Sequence, residues 1–101
     1  MSVLKESIAV FADIRAKPGC ESELRDTFSA ATERNRGNDT AILYRLHVDV
    51  ADHAHLVFYE IWRDSAAIDA YQSSPSFKAM LDQAMPATES VNIYRLRAIA
   101  E

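Results

Sequence analysis

Two neighbouring segments carry the side chains best suited to chemistry: Glu60-Ile61-Trp62-Arg63-Asp64, which closes an apolar run, and Tyr71-Gln72-Ser73-Ser74-Pro75-Ser76-Phe77 a little further on. Trp62 offers either a flat wall for an aromatic ligand or a core-packing indole whose N–H finds an acceptor. Tyr71 either plugs a helix onto a sheet or turns its hydroxyl into a hollow to exchange a hydrogen bond or proton with a ligand. Glu60 shares its side of the strand with Phe58 and Trp62. A carboxyl desolvated among such neighbours is a weaker acid, which makes a base active near neutral pH. The alternative for Glu60 is a cross-strand ion pair with Arg45, which depends on the hairpin register.

The elements that must position these groups follow from periodicity. Residues 8–15 alternate, with Ile8, Val10, Ala12 and Ile14 on one side, the period of a strand stopped by Lys17-Pro18-Gly19. Across 20–35 the apolar positions Cys20, Leu24, Phe28 and Ala31 recur every three or four residues, with Glu21 and Glu23 in the first turn, predicting an amphipathic helix that ends near Gly37. Residues 42–50 and 56–62 read as two strands joined at Asp52-His53. Asp64 or Ser65 caps a short helix with Ile68 and Tyr71 inward. Ser74, followed by Pro75, caps a second helix carrying Phe77, Met80, Leu81 and Ala84. Residues 91–99 give a last strand. The order predicts an α+β, ferredoxin-like βαββαβ domain spanning residues 1–101, with helices on one face of a four-stranded antiparallel sheet.

Strand 42–50 places Ile42, Tyr44, Leu46, Val48 and Val50 on one side, whereas 56–62 is apolar on both sides: Leu56, Phe58 and Trp62 against Val57, Tyr59 and Ile61. Two helices cover only one face of a sheet, so the second apolar face calls for a partner. A second copy packed sheet against sheet is expected.

With 101 residues, 49% of them hydrophobic, the chain fits one compact domain. Its net charge of −4 and lack of a basic stripe argue against nucleic acid. No apolar stretch approaches the roughly 20 residues needed to cross a bilayer, and the N-terminus lacks the plan of a secretory leader, so the expected location is the cytoplasm. A single cysteine, Cys20, agrees with a reducing compartment; at a helix start it is either an activated thiol or small core filler. His53 and His55, with His47 on the facing strand, lack an evident third ligand, so no metal is expected. There is no phosphate loop, nucleotide fingerprint or Ser-His-Asp arrangement, and no bound cofactor is expected.

The first strand with Lys17-Pro18-Gly19, the segment Leu43-Tyr44-Arg45-Leu46, and Glu60-Ile61-Trp62-Arg63-Asp64 leading to Tyr71, Ser74 and Phe77 together resemble the antibiotic biosynthesis monooxygenase family of the dimeric α+β barrel superfamily. The resemblance implies a homodimer with a pocket between helices and sheet in each subunit. It also implies membership of a group that includes cofactor-independent monooxygenases, haem-degrading oxygenases, isomerases and proteins without a known reaction. Where relatives commonly have histidine this chain has Tyr71, and where haem-degrading relatives have asparagine it has Ala12, which argues against haem degradation. Asn38-Asp39-Thr40 stands in place of a common Glu-Pro-Gly.

The expected function is a cofactor-independent monooxygenase using dioxygen on a small phenolic or quinol-like substrate. Tyr71 and Glu60 would be catalytic, and Trp62, Phe58, Phe77 and Met80 would shape the cavity. The alternatives are an isomerase or lyase acting through an enol, and a non-catalytic dimer that binds a ligand or a partner protein.

Overall fold

The computed structural model describes residues 6–100. Residues 1–5, on which the expectation about a leader bears, lie outside the described residues. The elements run β1 (Ile8–Ala16), α1 (Glu21–Arg34), β2 (Ala41–Asp49), β3 (Asp52–Trp62), α2 (Ser65–Gln72), α3 (Pro75–Ala84), a 3-10 turn (Met85–Ala87) and β4 (Thr88–Leu96). The strands form one antiparallel sheet in the order β2-β3-β1-β4, the ferredoxin-like arrangement.

Alternation decides the layers. Ile8, Val10, Ala12, Ile14 and Ala16 of β1 and Leu56, Phe58, Glu60 and Trp62 of β3 are all buried on the face that meets the helices. From α1, Leu24, Thr27, Phe28 and Ala31 descend onto that face, and Ile68, Met80 and Ala84 complete the core from α2 and α3. Helix starts are fixed by side chains that satisfy otherwise unpaired N–H groups. Asp64 accepts from the Ala67 N–H at 2.9 Å, and Ser74 Oγ from the Phe77 N–H at 3.2 Å, with Pro75 opening α3. Gly19 and Gly37 adopt φ of +84° and +83°, a region open to glycine without a steric penalty.

Three details differ from expectation. The β2–β3 turn falls at Val50-Ala51, not Asp52-His53. Asp49 Oδ1 accepts from the Ala51 N–H at 2.9 Å and Asp52 Oδ1 from the Ala54 N–H at 3.1 Å, so both aspartates brace the corner while Val50 stands 94% exposed. Ile42 leaves the inner face, because the register slips between Ala41 and Leu43, giving Ala41 the inward place and Ile42 the solvent. β4 ends at Leu96, leaving Ile99 outside the sheet and fully exposed.

α2 meets β4 through Arg95, which donates to Asp69 and Gln72, but the apolar residues of that strand are left uncovered. Val91 and Ile93 lie on the same face as Ile14 and Ala12, yet they are 43% and 51% exposed. On the opposite face Phe11, Tyr94 and Leu96 are exposed as well, around an edge-to-face contact of Phe11 with Tyr59 at 5.0 Å. No helix among the described residues is long and apolar enough to cross a membrane.

Candidate functional site

Glu60 sits near the C-terminal end of β3, with Val10 of β1 on one side and Tyr44 of β2 on the other. Arg45 stands opposite Tyr59, and a strand alternates faces at every residue, so its side chain is on the far side of the sheet from Glu60. The Glu60–Arg45 ion pair is thereby excluded. Instead Glu60 Oε1 accepts from the Trp62 indole N–H at 2.7 Å, and the second oxygen has no partner among the described residues. Burial pushes the Glu60 carboxyl up to about 7, with the indole hydrogen bond acting in the opposite direction. The cause is physical: Val10, Phe58 and Trp62 replace water without supplying a cation to hold the charge.

Trp62 does not line a cavity. It is fully buried, one face stacked on Tyr71 at 5.0 Å and 30°, so an aromatic ligand would meet Tyr71 and not the indole. Its place as ligand wall is corrected accordingly; it holds both Glu60 and Tyr71 in position, one through a hydrogen bond and the other through ring contact.

The Tyr71 hydroxyl lies 2.8 Å from the Tyr44 hydroxyl and accepts from Asn35 Nδ2 at 3.1 Å. Burial raises the pKa of both phenols and makes them weaker acids, most for Tyr44, where the charges of Tyr71 and Glu60 add to the effect; at Tyr71 the hydrogen bonds with Tyr44 and Asn35 oppose it. These rings and Glu60 border a hollow beneath α2 and α3, walled by Phe58, Phe77 and Met80, floored by Ala12 and opening toward Val91 and Ile93. Its free volume is about 60 Å³. That suffices for a few water molecules but falls well short of the several hundred Å³ of ordinary ligand pockets. A ring is admitted only if lining side chains such as the buried but flexible Met80 and the partly exposed Leu81 swing aside. Three larger depressions, about 340 Å³ between α1 and β2, about 540 Å³ beside Asn35 and Ser74 and about 260 Å³ beside Asn35 and Ile42, are open to solvent and contain no buried carboxyl.

Of the residues singled out in the sequence, Glu60, Tyr71, Phe58, Phe77 and Met80 share this hollow, with Trp62 behind it. Tyr44 and Asn35 were missed. Tyr44 was legible as an inner-face residue of β2, and a tyrosine facing a core needs a partner for its hydroxyl; its place opposite Glu60 required the hairpin register. Asn35 was legible only as the end of α1.

The histidines lie elsewhere. His55 Nδ1 contacts Asp49 Oδ2 at 2.9 Å and its Nε2 contacts Asp13, on opposite sides of the ring, while His47 Nδ1 lies 3.3 Å from the Val57 carbonyl. No three His, Cys, Asp or Glu side chains converge as a metal site among the described residues. Cys20 occupies the N-cap of α1 without a side-chain cap bond and packs against the core.

The chain has relatives among known proteins. The chain is 26% identical over 96 residues to an uncharacterised Synechocystis protein, sll1783, covering 90% of this chain and 64% of that protein, so it spans under two thirds of that relative's length. The crystal structure of PA3566 from Pseudomonas aeruginosa superposes with a TM-score of 0.88 at 26% identity, over 96% of this chain and 98% of that one. Rv0793 from Mycobacterium tuberculosis superposes with a TM-score of 0.86 at 25% identity, over 95% and 98%. The family model described as antibiotic biosynthesis monooxygenase matches residues 7–83, which include Glu60, Trp62, Tyr71, Tyr44 and Asn35, and the chain belongs to that family.

Proposed function

We propose that the hollow beneath α2 and α3 is the active site of a cofactor-independent monooxygenase acting on a small phenolic or quinol-like substrate. The observation that carries this reading is the buried Glu60 carboxyl, poised near neutral pH in an apolar hollow, with one oxygen uncommitted and tyrosine hydroxyls beside it. As carboxylate, Glu60 accepts the phenolic proton; Tyr71 donates a hydrogen bond to the resulting oxyanion. The phenolate is electron-rich enough to reduce dioxygen itself. Overall, an arenol and one dioxygen give a quinone and one water: one oxygen atom enters the ring and the other leaves as water, with all four electrons supplied by the substrate.

Oxygen-electrode measurements with phenols, naphthols and quinols test this. Turnover should consume dioxygen one-for-one with substrate, and Glu60→Gln should lower it by about 10²- to 10⁴-fold, the usual contribution of a positioned general base. The same base and donors suit proton transfer through an enol. Turnover that continues unchanged without dioxygen replaces the monooxygenase reading with an isomerase or lyase.

The second part of the reading is a homodimer through the outer sheet face, where Phe11, Tyr94 and Leu96 are 40%, 51% and 46% exposed beside Tyr59. An apolar face of this kind on a small domain favours burial against its twin. Sedimentation should give twice the chain mass, and Phe11→Glu should yield monomers; a monomeric wild-type protein refutes the assembly.

A further inference from the structure

The tyrosine pair holds more hydrogen-bond donors than its protein partners use. The Asn35 amide is oriented by the Ala31 carbonyl, which only accepts: Nδ2 donates to it at 2.9 Å and, with its other hydrogen, to the Tyr71 hydroxyl oxygen at 3.1 Å. The Tyr71 and Tyr44 hydroxyls share one contact at 2.8 Å, which uses one of their two hydrogens. Either Tyr44 donates to Tyr71, leaving the Tyr71 O–H unused, or Tyr71 donates to Tyr44, leaving the Tyr44 O–H unused. No other side chain among the described residues contacts either hydroxyl, and both residues line the hollow with Glu60. In each arrangement one hydroxyl hydrogen has no acceptor among the described side chains, although Tyr71 and Tyr44 border open depressions as well as the hollow.

We infer that Tyr44 is a further catalytic residue, and that Tyr44 and Tyr71 form an exchangeable donor pair that always presents one O–H to an oxygen of the substrate while Glu60 takes that oxygen's proton. This rests on the reading of the hollow as a phenol site. It also defines the ligand: a hydroxyl on a flat ring, bound so that the same oxygen loses a proton to Glu60 and accepts a hydrogen from the pair. Flipping the shared hydrogen moves the donor between two positions, so the pair can follow the oxygen as it becomes a carbonyl.

The test is a double-mutant cycle with 4-nitrophenol, whose ionised form has its own visible band, titrated against the full chain at pH 7. Because each single variant keeps one hydroxyl hydrogen free, Tyr44→Phe and Tyr71→Phe should each weaken affinity only about 2- to 5-fold. The double variant should lose about 30- to 100-fold, more than the product of the singles, with the bound band shifting toward the neutral form. Melting temperatures confirm that all three fold. A full loss in Tyr71→Phe with none in Tyr44→Phe overturns the exchange. Equal affinity in all four proteins overturns the donor role while leaving the hollow as the binding site, provided Glu60→Gln still alters binding. If 4-nitrophenol does not bind the wild-type protein, both the inference and the phenol-site reading fall.

Discussion

Two regions of this molecule hold carboxyl groups in opposite ways. In the hollow, Glu60 is buried with one neutral donor, the Trp62 N–H, and its carboxyl is pushed up to about 7. At the hairpin end, Asp52 is bonded by Arg15 Nη1 at 2.6 Å and Asp49 by His55, and both carboxyls are held below the usual range by these hydrogen bonds, with Ala54 and Ala51 N–H groups adding to the effect. His55, between Asp49 and Asp13, is raised in turn. The contrast separates two jobs. Charges that are paired at the surface pin a turn and stay charged, whereas a carboxyl largely withdrawn from water and given no cation is left undecided between its protonation states, which is what a proton-transfer group requires.

The largest effect that sharpens this contrast is expected at Trp62. Trp62→Ala removes a fully buried indole and the donor to Glu60, and should cost about 3–5 kcal/mol in chemical denaturation. The milder Trp62→Phe keeps ring packing but deletes the N–H, so the Glu60 carboxyl should move further up, as read by carboxyl NMR titration. A loss under about 1 kcal/mol for the alanine variant would mean the hollow does not depend on the indole.

Next comes the pH dependence of stability. A group whose folded pKa exceeds its unfolded one stabilises fully below the unfolded value and loses that contribution as pH rises through the folded value. For Glu60 the window runs from 4.5 to about 7. Wild-type protein should lose on the order of 3 kcal/mol across it relative to Glu60→Gln, whose amide can still accept from Trp62. Parallel curves for the two proteins would show that Glu60 is not desolvated.

The smallest effect belongs to the hairpin. Aspartates lowered by partners stabilise above the unfolded pKa and lose that contribution as pH falls, while the raised His55 contributes below 6.5 and loses it as pH rises through its folded value. Being exposed, these groups should matter little: Asp49→Asn should shift the melting temperature far less than Trp62→Ala, and the shift should vanish in about 1 M salt, where the screening length is about 3 Å. A large, salt-insensitive loss would erase the distinction between the regions.

Much of this was legible along the chain. The caps at Asp64 and Ser74, the strict alternation through Ile8 and Ile14, and the three-and-four spacing of Leu24, Phe28 and Ala31 are local signals, and the elements they mark formed where expected. The turn at Val50-Ala51 was not legible, because Asp52-His53 is the more turn-like pair and only the aspartate side chains bonding back to Ala51 and Ala54 fix the corner. Ile42 followed the wrong phase for a related reason. A one-residue slip at Ala41 reverses which face a side chain takes, and no local pattern announces it.

The sequence by itself therefore determined the βαββαβ order, the inward faces of β1 and α1, and the presence of Glu60, Trp62 and Tyr71 on elements that must meet. Only tertiary structure decided that Glu60 faces Tyr44 and not Arg45, that the indole is spent on holding Glu60 and Tyr71, and that Asn35 reaches the Tyr71 hydroxyl. The physical reason is range. Periodicity and capping are set by residues within a turn or two of one another, whereas the site is made by β3 register, the descent of α2 and the end of α1, contacts between residues 16 to 36 positions apart in the cases of Tyr44–Glu60 and Asn35–Tyr71.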